Sequence, residues 1–419
     1  MTTKSACGTL DLMPAELPST MRTPLNTALP KPGSQSALRE QNQRRVIAAL
    51  MSGGPQTQAE LSRQTGLSTA TISNIVKVMA TSGIVSTTPT TSSGRRALSV
   101  ILNDKGQVAA GIDIGRRHLR VVLASPNYRI LQEASVSLRP GHSAVEGLRA
   151  ASDLLDALLA NGGIDRRALL GAGIGIPGPI DRRTGTVVQG AILPEWVGIN
   201  IRETFGERLQ VPVFIDNDAN LGALAQVTWG PHSAVENLLF IKVGSGIGSG
   251  LVLNGSLYYG NVGVTGELGH TTINEQGVIC RCGNRGCLET VASTSTMIEL
   301  LGRGSAETVD TQRIIEWALA GDTAALRVID DAGAAIGRAL AHVANLINPE
   351  TIVIGGPLTS LGDILLEPVR RGLARHAVPL IGETTSVCMS SLGDRAEALG
   401  GAAVVLAHPG LTPALASSA

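Results

Sequence analysis

The chain has 419 residues, enough for two or three domains with full cores. Its 34 Lys and Arg balance its 34 Asp and Glu, which excludes a uniformly basic polyanion binder and leaves local asymmetry as the electrostatic signal. Aromatics make up only 2%, too few for stacking on single-stranded nucleic acid, whereas 50 glycines point to tight loops and backbone lying close to ligands.

Residues 1–36 carry five of the 20 prolines and little apolar periodicity, which predicts a disordered tail. The stretch from Met1 to Gly33 has no apolar core of a secretory signal, and no apolar run of about 18 residues occurs later. The expectation is a cytoplasmic chain without a membrane span, its thiols reduced.

Residues 37–103 read as a separate basic module. From Leu38 to Leu102, Arg39, Arg44, Arg45, Arg63, Lys77, Arg95 and Arg96 oppose only Glu40 and Glu60, a local charge of about +5. Val46, Ile47 and Leu50 mark a first helix that ends before "SGGP". Thr57 and Glu60 have capping-box spacing at the start of a second, and Gly66 makes a turn. Ser68 caps a third, with Ile72, Ile75, Val76 and Met79 on one buried stripe. Its other face shows Thr69, Thr71, Ser73, Asn74 and Lys77. "GIVSTTPTTSSGRRALSVIL" then reads as two strands and a loop bearing Arg95 and Arg96.

Helix, glycine turn, amphipathic helix and hairpin together resemble a winged helix-turn-helix of the sort found in bacterial repressors. The third helix would enter the major groove of a double-stranded DNA operator. Ser68, Thr69, Thr71, Ser73, Asn74 and Lys77 would face it, with Arg95 and Arg96 on backbone or minor groove. The plainer alternatives are a helical cap with a solvated charged hairpin, or a module that binds protein.

"NDKG" at 103–106 marks a boundary, after which 107–408 turns Gly-rich and alternating. "VAAGIDIGRRHLRVVLAS" reads strand, turn, strand, with Asp113 ending the first; a carboxylate there can hold Mg²⁺ or water near a phosphate. "GAGIGIPGPID" is a buried strand running into a Gly/Pro turn at Gly178. "VPVFIDNDANLGALAQ" is a strand, then a helix. There Asp218 suits a general base for a sugar hydroxyl and Asn217 a hydroxyl-binding neighbour, against the alternative of a plain Asx helix cap. "LLFIKVGSGIGSGLVLNG" is a hairpin whose expected turn, Gly244 to Gly250, could wrap phosphate with N–H groups.

"GELGH", ending at His270, precedes "CRCGNRGCLE". Cys280, Cys282 and Cys287 in a reducing compartment are poor disulfide candidates. Three thiolates and His270 would make a closed tetrahedral zinc site, structural rather than catalytic, with Gly283 and Gly286 permitting the wrap. A redox thiol cluster is the alternative. Cys7 and Cys388 look incidental.

In this order and spacing, Val108 to Ala407 resembles the ROK family of repressors, open-reading-frame kinases and sugar kinases. The resemblance implies an α/β, two-lobed actin-like ATPase (sugar kinase/ribonuclease H-like) domain with a duplicated sheet around Gly111 and Leu239. It implies sugar binding by Gly178, Asn217, Asp218, Glu267, His270 and Glu289 beside zinc at 270–287. It also implies a nucleotide region of Asp113, Gly115, Gly244, Gly246, Gly248, Gly355 and Gly356, and a long helix near Leu326–Ile347 between the lobes. One departure counts against ATP and Mg²⁺. ATP-using members carry Asp-x-Gly-Gly-Thr, and here Arg116 and Arg117 replace the second Gly and the Thr.

The expected function is therefore a sugar-responsive, non-catalytic transcriptional regulator, a repressor acting as a homodimer or homotetramer. Its effector would be a sugar or sugar phosphate. The rival is an ATP-dependent hexose or N-acetylhexosamine kinase with Asp218 as catalytic base.

Overall fold

The computed structural model describes residues 35–92, 95–103, 106–188, 192–261, 263–303 and 308–408. The expected tail as far as residue 34, Cys7 and residues 104–105 of the expected boundary lie outside this set.

The basic module opens with α1 (Gln35–Gly53), which starts two residues inside the expected tail. It also runs through Ser52 and Gly53 rather than stopping before them, and ends at Gly54, whose φ of +68° no helix accepts. Then come β1 (Gln56–Thr57), α2 (Gln58–Thr65), α3 (Thr69–Thr81), β2 (Val85–Ser92) and β3 (Arg95–Leu102). The capping box forms as the spacing predicts: Glu60 N–H donates to Thr57 Oγ1 at 3.3 Å, and Thr57 N–H to Glu60 Oε2 at 2.7 Å. Ser68 caps α3, and Ile72, Ile75, Val76 and Met79 are buried with Val46, Ile47 and Leu61. The antiparallel β2–β3 pair, joined at its edge by β1, is the wing.

The body begins with β4 (Val108–Ile114), β5 (His118–Ala124), β6 (Ile130–Ser137), α4 (Ala144–Asn161) and β7 (Leu169–Ile176). The short pair β8 (Ile180–Asp181) and β9 (Thr186–Val187), α5 (Ile201–Leu209), β10 (Val213–Asn217) and α6 (Asp218–Thr228) follow. The second half has β11 (Leu238–Val243), β12 (Ile247–Leu253), β13 (Ser256–Leu257), α7 (Glu289–Ala292), α8 (Thr294–Gly302), α9 (Thr311–Leu319) and α10 (Thr323–Ile347). It closes with β14 (Thr351–Gly355), α11 (Asp363–His376), α12 (Pro379–Thr384), β15 (Ser386–Met389) and α13 (Ala396–Ala407).

The expected duplication is visible in the strand order. One sheet runs β10-β7-β4-β5-β6 and the other β15-β14-β11-β12-β13. In each, an antiparallel three-stranded meander leads to two further strands that pair in parallel.

The layer between the sheets is not the expected one. The long helix α10 packs inside the second lobe, where Ile336 and Leu340 share a core with Ile241, Ile352, Leu365 and Val369. It is an amphipathic helix with one apolar stripe, and α11 and β11 consume that stripe. The layer is formed by α6 and α13 instead. Ala219 and Ala223 of α6 and Ala403 of α13 pack on Phe240, Val252 and Val353 of the second sheet. The opposite face of α13 lies on the first sheet, with small side chains such as Ala402 and Ala109 between them and backbone meeting backbone at the glycines. A Cβ on Gly111 would strike the Ala398 carbonyl, and one on Gly173 the Gly401 carbonyl. Alanine-rich α6, buried along its whole length, and glycine-bearing α13 are the helices narrow enough for this layer.

Candidate functional site

Strand ends and loops from both lobes open on one cleft of about 570 Å³. It is lined by every residue expected to bind sugar, namely Gly178, Asn217, Asp218, Glu267, His270 and Glu289. It also takes in Asp113, Gly115, Gly244, Gly246, Gly248 and Gly356 from the expected nucleotide set. Gly355 does not line it. A Cβ there would meet the Phe240 ring, so that glycine serves packing.

On one side of the cleft, the loop from His270 to Cys287 gathers four metal-type donors. The ligand atoms of His270, Cys280, Cys282 and Cys287 lie within 4.8 Å of one another. Cys282 Sγ is 3.7 Å from Cys287 Sγ, and Cys280 Sγ is 3.7 Å from His270 Nδ1. With Zn–S bonds of about 2.3 Å, a tetrahedron has S···S edges of about 3.8 Å, so the donors fit. The described cysteines carry no disulfide. Burial pushes the Cys287 thiol up to about 12, and Cys280 is also raised by burial; a cation would reverse both by taking the thiolates. Gly283 and Gly286 have φ of +95° and +62°, as the wrap requires.

The knot orients its neighbours. His270 turns its other nitrogen, Nε2, toward Glu267 at 3.8 Å. Glu289, two residues past Cys287, is buried; its Oε2 accepts the Ile247 N–H at 3.0 Å. Its Oε1 pairs at 2.7 Å with Arg281, which sits between two of the cysteines. Asn217 is the Asx helix cap of the plainer reading, and it also lines the cleft. Its Oδ1 caps α6 by accepting from Ala219 N–H at 2.9 Å, and its Nδ2 donates to the Gly178 carbonyl at 3.1 Å.

The glycine hairpin is shorter than expected. The turn spans Gly244 to Gly246, because β12 begins at Ile247. Gly250 is a packing position, where a Cβ would strike the Ala219 carbonyl of α6. Only the first part of "GSGIGSG" is therefore a candidate phosphate loop.

The opposite side holds three residues that sequence reasoning missed. Lys242, the one cation in the apolar strand "LLFIKV", places Nζ 2.9 Å from Asp218 Oδ2, 3.3 Å from Glu397 Oε1 and 3.9 Å from Asp113 Oδ2. His118, half-exposed at the mouth, places Nε2 2.8 Å from Asp113 Oδ2. Burial works against charge on Asp113 and Lys242, but their mutual attraction wins, lowering the first and raising the second. Glu397 goes the other way: burial outweighs the pull of Lys242 and raises it to about 7. A lone Lys in a six-residue apolar strand was the available signal for Lys242. Arg116 and Arg117 also line the cleft.

On the DNA-like module, Thr69, Ser73, Asn74 and Lys77 are exposed on α3, and Arg96 is exposed on the wing. Ser68 and Thr71 join hydroxyls at 2.8 Å within the cap, so part of their capacity is spent on the helix. The Arg95 side chain lies outside the described residues. Two of the seven cations serve tertiary structure: Arg44 donates to the Gly255 carbonyl of the body, and Arg45 to the Thr65 carbonyl ending α2. Among the described residues no helix is long and apolar enough to cross a membrane.

Comparison with known proteins matches residues 109–408 to the ROK family and residues 40–96 to the MarR family. A putative xylose repressor of Caldicellulosiruptor sp. is 30% identical over 389 residues, spanning 89% of this chain and 97% of its own. The crystal structure of a ROK family transcriptional regulator, a homologue of the E. coli MLC protein, superposes with a TM-score of 0.70. It is 27% identical, covering 90% of this chain and 98% of that one. A ROK family glucokinase from Streptomyces griseus in complex with glucose and AMPPNP gives a TM-score of 0.62. It is also 27% identical, over 71% of this chain and 98% of its own. The body thus has the actin-like sugar-kinase fold behind a winged helix, and the chain belongs to the ROK family.

Proposed function

We propose that this chain is a sugar-responsive DNA-binding transcriptional regulator, a repressor whose operator affinity is set by a sugar or sugar phosphate in the interlobe cleft. Residues 37–103 form the DNA-binding domain and 107–408 the sensing domain. One observation carries the reading: a polar, exposed face of α3 and a sugar-type cleft belong to one chain, and the relative matching it across 89% of its length is a putative repressor. Gly178, Asn217, Asp218, Glu267, His270 and Glu289 supply the acceptors and donors that a polyhydroxylated ligand needs.

His270, Cys280, Cys282 and Cys287 hold a structural zinc ion. A zinc ion held there would supply a fixed anchor, and the four residues would orient Glu267 and Glu289 toward the ligand. Two copies assemble so that paired α3 helices read two operator half-sites. Sugar binding changes the spacing of those helices, a coupling of about 1–3 kcal/mol.

The test is duplex DNA binding by the full zinc-loaded protein at several salt concentrations, with and without a panel of hexoses, pentoses, N-acetylhexosamines and their phosphates. One sugar should shift the affinity, and Lys77→Ala should reduce the slope of log affinity against log salt by about 1. Duplex binding that no sugar alters would remove the sensor half of the reading. Absence of salt-dependent binding would remove the DNA half.

The glucokinase likeness keeps a second reading in play, a sugar kinase with Asp218 as base. Sugar-dependent ADP release that disappears in Asp218→Asn would establish it.

A further inference from the structure

The cluster around Lys242 shares only Asp218 with the proposed sugar-binding set. Four separate elements build it: Asp113 is the penultimate residue of β4 in the first sheet, Lys242 lies on β11 in the second, and Asp218 and Glu397 lie in the first turns of α6 and α13 between them. The side chains are 1%, 14%, 10% and 2% exposed respectively, so solvent screens these charges little. The ammonium lies 2.9 to 3.9 Å from one oxygen of each carboxylate.

Three carboxylates converging on one point, at the mouth of a glycine turn, are the donor set a hard divalent cation takes. Here that point is already filled by the chain's own cation. A metal ion and an ammonium cannot share the space, and the positive field that would hold nucleotide phosphates already has its negative partners. Asp113 meets both Lys242 and His118 through Oδ2, while its Oδ1 is buried without a hydrogen bond. Asp218 is committed at both oxygens, Oδ2 to Lys242 and Oδ1 to the Ala219 N–H at 2.9 Å. It can take a proton from a sugar hydroxyl only by giving up a partner. The residues present therefore do not fit ATP–Mg²⁺, for a reason independent of Arg116 and Arg117.

We infer that Lys242 is a built-in cation that takes the place of a divalent metal among Asp113, Asp218 and Glu397, committing this cleft to sugar binding without phosphoryl transfer. The inference deepens the regulator reading and rests on it. It also predicts a latent property. Removing the ammonium uncovers a metal site, because one oxygen from each of three carboxylates then surrounds the vacated point between the lobes.

The experiment measures Mn²⁺ uptake by the full zinc-loaded chain, using the electron paramagnetic resonance signal of free Mn²⁺. Zinc content and melting are recorded alongside to confirm folding. Lys242→Met is expected to bind one Mn²⁺ per chain in this cleft at least about 10-fold more tightly than wild type, as unpaired buried carboxylates demand. Adding Asp113→Asn to Lys242→Met should abolish the gain. Lys242→Gln, which removes the ammonium and keeps all three carboxylates together with a polar group at that position, supplies the same contrast if Lys242→Met does not fold. A folded variant that takes up Mn²⁺ no better than wild type overturns the inference. So does tight Mn²⁺ binding by the wild type, displaced by Lys242→Met, which needs only the native chain to be seen. Operator and sugar binding, measured on the same preparations, fail separately if the regulator reading is wrong while the Mn²⁺ contrast stands.

Discussion

The two sides of the cleft handle buried charge in opposite ways. On the side of the cysteine knot, Glu289 and Glu267 are positioned by a backbone N–H, by Arg281 and by a metal-type cluster, and their polar edges still line open space. On the other side, Asp113, Asp218 and Glu397 are neutralised by Lys242 and His118, so the charges close on themselves. Both halves are polar and lie in one fold. Their difference shows that having the right residue types in a cleft does not suffice. What matters is whether their partners come from the chain or are left for a ligand.

The widest test of this contrast removes the scaffold of the first side. Cys287→Ser is expected to lose the bound metal, read by atomic absorption, and to lower Tm by about 10 °C or more. An unchanged Tm would mean that the donors do not position anything. Next in size is Glu289→Gln, which keeps an acceptor for Ile247 but discards the charge. Calorimetry should show sugar affinity falling by about 10–100-fold, with operator affinity in the absence of sugar untouched. Loss of both would make Glu289 structural, like its counterparts across the cleft.

A smaller effect sharpens the second side. Glu397 titrates near 7 in the fold against an ordinary 4.5, so the folded state holds the proton longer. Stability from this group is then lost as pH rises from about 4.5 through about 7. Glu397→Gln should leave Tm unchanged at pH 5 and raise it by about 2–4 °C at pH 8, measured by calorimetry. A gain at both pH values would mean that the group is not protonated at pH 5 as burial requires.

The parts of this molecule that were legible in the sequence are those whose partners are close in the chain. The Thr57–Glu60 box, the Ser68 cap, the α3 stripe and the cysteine spacing all form within eight residues or fewer. The sugar-side set was legible through its resemblance to a family, and the structure brings all six residues to one cleft. Of what escaped, His118 lies only five positions from Asp113, but the rest depends on distant approach. Lys242 meets Asp113 across 129 positions and Glu397 across 155, and neither pairing leaves a period or a motif. Gly250 and Gly355 were read as phosphate-facing because a glycine beside a turn looks the same whether a ligand or a helix comes close. Helix α10 looked central because it is long, whereas narrowness decides which helix fits between two sheets.

The direct backbone contact of α13 with the first sheet has a consequence for anyone scanning this chain by mutation. Gly111, Gly173, Gly400 and Gly401 face carbonyls or backbone atoms that cannot step aside, so a single added methyl group at any of them must pry a helix from its bed. A survey of tolerated substitutions will rank these four glycines beside the cysteines and the cleft carboxylates, although none of them lines the cleft. Intolerance in this protein is thus a map of close approach as much as of chemistry, and the two separate only when Ala is compared with bulkier residues at each position.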